Sequence, residues 1–484
     1  MRKILSIALS LVLFVTTFTL VLPEDVQARS REYMKVGLKY GSTANSSYDL
    51  SFPNGIVAAE VRDSELDEIR EYPDLVRATA AYQDGSLFIK GYELDGTEVD
   101  ITLEDSDVNC LMATDYLDDG YFSYDGSKYR GGAYFVYQGG SFNFVNYVEV
   151  DKYLYSVLQA EMGRSCPSEA LKAQAVAARS FALCQKNTHK SQGFDICSSS
   201  HCQNYKGMAN EYPETTKAVE DIAGEVLKYN GKTVSGYYFK NSGGYTQNSQ
   251  DVWSGKEGYL QAVKDKYSPD YSWQTSYTFS QLEDKLSSAG KSVGTLESVA
   301  IADRNESGAA AKVVFKGSSG TATFEKDKIR TFFGSSQVKS TMFSFGEGIL
   351  SSGPVTTSVG SESKGAGSEQ AYAAGLGYVS PLDIQKDIYI MGGSGGKAYT
   401  ALKDTYVYLE NSGKSALYGG EGQSQEDVDL GNTSDISYGP QLVIKGKGYG
   451  HGIGMPQDSA IEMAKQGFSY RDILEFYYTD IEIK

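Results

Sequence analysis

Short apolar runs separated by turn residues dominate the first third of the chain. From about Met34 to Val150, the segments Ile56–Val61, Leu75–Tyr82, Leu87–Gly91 and Phe142–Val150 read as strands. Near residue 150 the spacing of apolar positions becomes helical. Asp151 is placed to cap a helix running to Met162, with Gly163 as its stop. Pro167 stands where a first helical residue belongs and opens a second helix through about Lys186, and Asn210–Gly224 reads as a third. Strands resume at Thr233–Phe239, Ser298–Ala302, Lys312–Lys316 and Thr321–Phe324. Residues 351–368 hold 6 Ser and 4 Gly, a flexible-linker composition. Beyond it, Ile388–Met391, Thr405–Leu409 and Leu442–Ile444 look like strands, and Pro456–Tyr478 ends in helical spacing through Met463, Phe468, Ile473, Leu474 and Phe476. The expected fold class is therefore α+β: a mixed helix-and-sheet body, a β-rich N-terminal region and an inserted β-rich region.

Charge narrows the range of partners. Across 484 residues, 45 Lys+Arg face 62 Asp+Glu, a net charge of −17. That balance argues against a general nucleic-acid binder, which needs a positive field to offset phosphates. At the N-terminus, Arg2 and Lys3 precede the apolar run Ile4–Leu22, and Val26-Gln27-Ala28 offers a small-residue cleavage site. Residues 1–28 are expected to be an export signal or an uncleaved membrane anchor, with an extracytoplasmic body behind it.

One helix breaks its own pattern. In the helix expected over 151–162, Leu154, Val157 and Leu158 form an apolar stripe whose next position is Glu161. A carboxylate on a face that turns inward has a raised pKa. An acid held protonated near neutral pH is what cleavage of a glycosidic bond requires, because the leaving oxygen must be protonated. At the last turn of a helix, the same side chain can equally point into water. In the next helix Lys172 and Arg179 share a nearby face, suited to an anionic substrate or to holding a carboxylate.

The 3 histidines are not scattered. His189 and His201 flank Cys197, and His201 abuts Cys202, so thiolate and imidazole donors suited to a four-coordinate zinc fall within one short stretch. A Cys197–Cys202 disulfide in an exported protein is the competing reading. The 5 cysteines cannot all pair with one another. His451 lies in Gly446-Lys447-Gly448-Tyr449-Gly450-His451-Gly452-Ile453-Gly454-Met455, a glycine-rich loop that presents one imidazole or simply caps backbone. Asn241–Asn248 is a polar loop of small residues suited to hydroxyl-rich ligands, or a plain turn. A Cys202–His451 nucleophilic pair is a further reading, which needs the two side chains to meet.

Taken in order, the segments form a set. Glu161-Met162 followed by Pro167-Ser168-Glu169-Ala170-Leu171-Lys172-Ala173-Gln174-Ala175-Val176-Ala177-Ala178-Arg179 resembles the signature of the stage II sporulation protein D / amidase enhancer (SpoIID/LytB) family. So do Cys197 with His201-Cys202-Gln203-Asn204-Tyr205-Lys206-Gly207, Ser242-Gly243-Gly244 leading to Asp251-Val252-Trp253, and Gly448–Gln457. Asp458-Ser459 depart from the pattern, where the family usually has an aromatic residue and glycine.

The resemblance implies a peptidoglycan lytic transglycosylase acting on glycan strands stripped of stem peptides, in sporulation or wall remodelling. It implies Glu161 as catalytic acid and a metal segment at Cys197, His201 and Cys202, with His189 a looser match, holding a structural zinc. Lys172, Arg179, Gln203, Tyr205, Ser242, Gly243, Gly244, His451 and Gln457 are the expected substrate-binding residues. The implied partners are glycan strands and a cell-wall amidase or other sporulation proteins, not nucleic acid. The alternative function is a non-catalytic wall-binding enhancer of an amidase. The expected organisation is a signal or anchor (1–28), a β-rich region (29–130), a catalytic core (131–345), a linker (346–378), an inserted β-rich region (379–440) and the last part of the core (441–484).

Overall fold

The computed structural model describes residues 31–62, 65–102, 107–346, 436–438 and 440–484, together with strand segments between 370 and 418. The expected signal at 1–28 and the Ser/Gly stretch 351–368 lie outside the described residues. The chain divides into two compact units, Met1–Pro354 with Thr433–Lys484, and Val355–Asn432. Among the described residues no helix is long and apolar enough to cross a membrane.

The large unit begins with two antiparallel-rich sheets. One has seven strands in the order Ile196–Cys197, Tyr33–Lys39, Ser141–Glu149, Gly132–Gln138, Cys110–Ala113, Ile56–Arg62 and Glu65–Tyr72. The other has six, running from Ser127–Arg130 to Glu98–Asp100. Alternation decides which side chains meet between them: in Ser47–Ser51, Tyr48 and Leu50 are buried and their neighbours exposed. They join Phe52, Phe122, Phe135, Phe142 and Phe144 in one core. Ser141–Glu149 is buried along almost its whole length, because its other face, through Val145 and Tyr147, packs against a second cluster.

That strand runs directly into helix α1 (Val150–Glu161), with Glu149 as the extended N-cap residue. A short connection follows, then α2 (Ser168–Cys184) and α3 (Pro213–Glu220). Tyr153, Leu154, Val157 and Leu158 of α1 are fully buried. Full burial of one such side chain contributes about 1.5–3 kcal/mol. Ala173, Ala175, Ala177, Ala178 and Ala182 of α2 are also fully buried, so neighbours can approach its backbone closely. Helix α2 contacts α1, α3, α7 (Gln457–Lys465) and α8 (Tyr470–Tyr477), and is the central rod of this core.

Between these segments lie the one-turn α4 (Ser249–Val252), α5 (Phe279–Ser288) and α6 (Asp327–Phe333). Strands Ser272–Thr278, Gln441–Lys447 and Phe343–Phe345 form one sheet, and Leu296–Arg304, Ala310–Gly317, Gly320–Glu325 and Ile436–Tyr438 another. Their core gathers Leu282, Leu286, Phe315, Phe333, Phe343 and Ile444. The small unit contains a strand pair, Gln370–Gly375 with Tyr378–Asp383, and a four-stranded sheet from Ile388–Met391 to Lys414–Tyr418.

The α+β class stands, with four local corrections, the first being that Asp151 lies in the first turn of α1, whose N-cap is Glu149. Pro167 is the N-cap of α2 rather than its first residue, and α2 stops at Cys184, short of Lys186. The expected helix Asn210–Gly224 becomes a 3-10 turn, Gly207–Asn210, and α3, which starts at Pro213. Proline lacks the N–H an interior position must donate, so it sits in the first turn and sets the start there. The expected strand Thr233–Phe239 splits into Lys232–Thr233 and Tyr238–Phe239, because Tyr237 N–H turns back to the Ser235 carbonyl at 3.1 Å.

Candidate active site and metal cluster

Glu161 is the last residue of α1, where the buried stripe of Leu154, Val157 and Leu158 reaches its margin. Gly163 closes the helix in a left-handed conformation, φ 79°, with its N–H on the Gln159 carbonyl at 3.1 Å. The Glu161 side chain is partly buried, and burial raises its pKa above the usual carboxylate range. The Gln457 amide and the Asn204 backbone N–H face the carboxylate and work in the opposite direction. Burial wins. Gln457 itself is 5% exposed, and its Nε2 completes no hydrogen bond of ordinary geometry among the described residues.

Beneath the acid is a hydrogen-bonded chain. Tyr153 Oη donates to Gln203 Oε1 at 3.0 Å, and Gln203 Nε2 donates to Tyr238 Oη at 2.9 Å. Burial pushes both phenols well above their usual range, and the nearby Glu161 carboxylate adds to this, so both remain neutral. The amide orientation of Gln203 is fixed by its two partners, one hydroxyl donating and one accepting. Gln203 is 1% exposed, so the expected groove-lining residue is a strut under the acid instead.

Tyr205 is likewise buried, with its hydroxyl on Asn146 Oδ1 at 2.8 Å. Arg179, also expected at the groove, is 2% exposed. It donates from Nε to Asp151 Oδ1 at 2.7 Å and from Nη1 to the carbonyls of Ile222 and Glu225 at 3.1 and 2.9 Å. Lys172 pairs with Glu169 at 3.1 Å and Asp221 at 3.4 Å. The two cations therefore tie α2 to α1 and to the end of α3 and do not present charge to a ligand. Arg179→Ala is expected to cost about 3–5 kcal/mol in urea unfolding, since it strands a carboxylate and two carbonyls. A loss below about 1 kcal/mol would contradict this structural role.

The two later glycine-bearing motifs meet each other. Asn241 and Tyr449 exchange backbone hydrogen bonds at 3.0 and 2.8 Å. Gly243 and Gly448 lie back to back at positive φ, 67° and 76°, and a Cβ on Gly448 would fall 2.7 Å from the Asn241 oxygen. Only glycine permits this approach. Ser242, 3% exposed, donates to Asp265 Oδ2 at 2.6 Å, and Gly244 N–H donates to Ser242 Oγ at 3.1 Å. Ser459, at the departure from the family pattern, donates to the same Asp265 oxygen at 2.6 Å. The Ser242–Gly244 loop is thus held from inside and offers no side chain to a ligand from Ser242.

His451 sits under Tyr237, Phe239 and Trp253. Its Nδ1 accepts from Ile453 N–H at 3.0 Å and its Nε2 lies 3.1 Å from the Tyr238 carbonyl, which fixes the proton on Nε2. Burial, helped by Arg330, pulls its pKa down to about 4. This neutral imidazole with both nitrogens engaged caps backbone. It joins neither Cys202 in a nucleophilic pair nor the expected set of ligand contacts.

His189, Cys197, His201 and Cys202 come together, with all four donor atoms within 4.8 Å of one another. Cys202 Sγ lies 3.5 Å from His189 Nε2 and 3.4 Å from His201 Nδ1, and Cys197 Sγ lies 3.7 Å from His201 Nδ1. Bond lengths of about 2.3 Å to sulfur and 2.0–2.1 Å to nitrogen give sulfur–nitrogen edges of about 3.5 Å in a tetrahedron. The donors therefore fit a zinc ion. His189 Nδ1 meets Gln192 Oε1 at 3.0 Å, and its ring stacks on Phe194, which leaves Nε2 turned to the cluster. All 5 cysteines are free, so the disulfide reading does not hold. Burial opposes ionisation of Cys197, but hydrogen bonds from Ser199, Cys202 and His201 pull its thiol below the usual range.

The cluster and the acid share one segment. Cys202 is followed by Gln203, which bridges the two tyrosines, and by Asn204, whose N–H faces Glu161. Tyr205 N–H returns to the Ser198 carbonyl at 3.1 Å, and Lys206 N–H reaches Ser156 Oγ on α1 at 3.0 Å. Tyr153, Tyr238 and Asn204 were not among the expected site residues. Tyr153 lies two turns from Glu161 on α1 and so carries some trace of proximity. Tyr238 and a backbone N–H carry none.

Residues 138–229 match the family model described as stage II sporulation protein, and residues 245–350 match a domain of unknown function. The chain is 29% identical over 325 residues to an amidase enhancer of Bacillus subtilis, covering 67% of this chain and 39% of that protein. It is 28% identical over 196 residues to an uncharacterized protein of Brachyspira hyodysenteriae, covering 40% of this chain and 53% of that one. To stage II sporulation protein D of Bacillus subtilis it is 29% identical over 160 residues, covering 29% of this chain and 47% of the relative. The chain thus spans about half or less of the length of these curated relatives.

Proposed function

We infer, for a chain that carries a domain of the stage II sporulation protein D / amidase enhancer family at 138–229, a role in the bacterial cell wall and a specific reaction there. The reaction is lytic transglycosylation of the MurNAc–GlcNAc β-1,4 bond in peptide-stripped glycan strands. The observation that carries this reading is Glu161, an acid whose burial raises its pKa at the margin of the core. Glu161 donates its proton to the glycosidic oxygen as the bond from C1 breaks. The C6 hydroxyl of the same sugar attacks C1 and returns its proton to the Glu161 carboxylate. The products are a free 4-hydroxyl and a 1,6-anhydro end, with no water consumed. A second carboxylate, needed when water or an enzyme nucleophile attacks, has no part in this route.

The Gln457 amide and Asn204 N–H stabilise the carboxylate between the two proton transfers, and the Tyr153–Gln203–Tyr238 chain holds the floor beneath it. The reading includes a structural zinc on His189, Cys197, His201 and Cys202, which would fasten the segment that carries Gln203 and Asn204; four protein ligands leave no open position for substrate. It also places the protein outside the membrane, where its substrate is.

The test is to incubate the protein and Glu161→Gln with denuded glycan and to search for 1,6-anhydro ends by mass spectrometry. Anhydro ends from the first and not the second support the reading. Their absence from both leaves the second reading, a wall-bound enhancer of an amidase, which the name of the Bacillus subtilis relative favours.

A further inference from the structure

With Lys172 and Arg179 committed inside the fold, the acid lacks the cations expected to greet a carboxylate-bearing glycan. Another lysine follows two residues after Tyr238, whose phenol feels the Glu161 carboxylate. Strand Tyr238–Phe239 runs parallel to Met455–Pro456, with Tyr238 opposite Met455 and Phe239 opposite Pro456. One residue further, Asp458 N–H donates to the Lys240 carbonyl at 3.0 Å, which sets Lys240 beside the start of α7. There Lys240 Nζ pairs with Asp458 Oδ1 at 2.7 Å, and Asp458 Oδ2 accepts from Asn241 Nδ2 at 3.1 Å. Asp458 directly follows Gln457, whose amide faces Glu161. The charge of Lys240 also acts on the Cys166 thiol, in the connection between Glu161 and α2. Two segments that border the acid thus face the same ammonium group.

The geometry points to Lys240 as the residue that recognises the lactyl carboxylate of the muramic acid unit beside the bond that Glu161 cleaves. This rests on the glycan reading given above. The Lys240 side chain is 47% exposed and that of Asp458 only 16%, so the cation is the open end of the pair. A ligand carboxylate can share or take over Lys240 while Asn241 still holds Asp458. No ion pair joins Lys240 to Glu161 among the described residues, so recognition of an anion does not deprive the acid of its proton. A chain of net charge −17 repels an anionic polymer at a distance, and a local cation is where that repulsion is offset. The departure at Asp458 acquires a role here as well, because it fixes the lysine in position.

The experiment compares two polymers: denuded glycan, and the same glycan with its lactyl carboxylates converted to amides by carbodiimide coupling. Binding is measured by co-sedimentation in the full chain carrying Glu161→Gln, so that cleavage does not interfere. This parent is expected to bind the native polymer about fivefold more tightly than the amidated one, as for a partly exposed ion pair. Adding Lys240→Gln should bring that ratio close to one, and Lys240→Arg should keep it. If Lys240→Gln keeps the preference, if the parent binds both polymers alike, or if Lys240→Gln weakens both equally, Lys240 does not read the carboxylate. Should the preference depend on Lys240 while the active chain yields no anhydro ends, the carboxylate contact stands and the transglycosylase reading falls.

Discussion

Glu161→Gln is expected to reduce release of 1,6-anhydro ends from denuded glycan by about 10²–10⁴-fold, the usual contribution of a positioned general acid. Binding of the polymer should persist, because the amide keeps the size of the side chain and its contact with Asn204 and Gln457. The same substitution should raise thermal stability at neutral pH. The native-state pKa of Glu161 is raised by burial, so in the interval between the unfolded value and the native one the folded chain holds more protons than the unfolded chain. Stability therefore falls as pH rises through that interval, and above it the full cost of the buried charge is present. Glutamine removes that cost; below the ordinary glutamate pKa, where both states are protonated, the two proteins should melt alike. A pH series of melting curves checks this. A variant that melts lower than its parent at neutral pH would mean that the carboxylate is stabilised by its partners and is no reservoir for a proton. The pH–rate profile gives a second check, since cleavage should decline as pH rises through the raised Glu161 pKa.

The other large effect is expected at the cysteine–histidine cluster. The purified protein should contain about one zinc per chain, and Cys202→Ser should lose it. Binding free energies of structural zinc in small modules are on the order of 10–16 kcal/mol, so stripping the ion or replacing a ligand should cost several kcal/mol of stability. The loss should spread to the acid, because Gln203 and Asn204 follow Cys202 directly and hold Tyr153, Tyr238 and Glu161. Cys202→Ser should therefore unfold at lower urea and cleave glycan poorly, while Cys184→Ser, at an exposed thiol away from the cluster, should do neither. Equal metal content in Cys202→Ser and its parent, or no metal in the parent, would remove zinc from the account.

Local spacing gave the elements and the motif positions. The apolar stripe of α1 singled out Glu161 because a helix repeats every 3.6 residues, and the stripe ends where the core ends. The concentration of His189, Cys197, His201 and Cys202 within one stretch made their meeting legible, because chain connectivity already confines them. Roles beyond that were settled by contacts across long separations. Arg179 and Lys172 were suited to an anionic substrate or to holding a carboxylate; the i,i+3 spacing made the Glu169 pair legible, but only the fold could bring Asp151 to Arg179 and Asp221 to Lys172. Gln203, Tyr205 and Ser242 looked like ligand contacts, but polar side chains enter a core when partners such as Tyr153, Asn146 and Asp265 satisfy them there. For His451 the glycine-rich loop allowed a presented imidazole or a backbone cap, and contacts to Tyr238 and Ile453 decide for the cap.

Residue order thus determined the helices and strands, the acid at 161 and the four clustered donors, since these depend on neighbours close along the chain. Only the folded molecule decided which polar groups serve the scaffold and which face outward. Pairings such as Asn241 with Tyr449 or Lys240 with Asp458 join segments more than two hundred residues apart, and they exist only once the packing of α2 against α7 and α8 has brought those segments together.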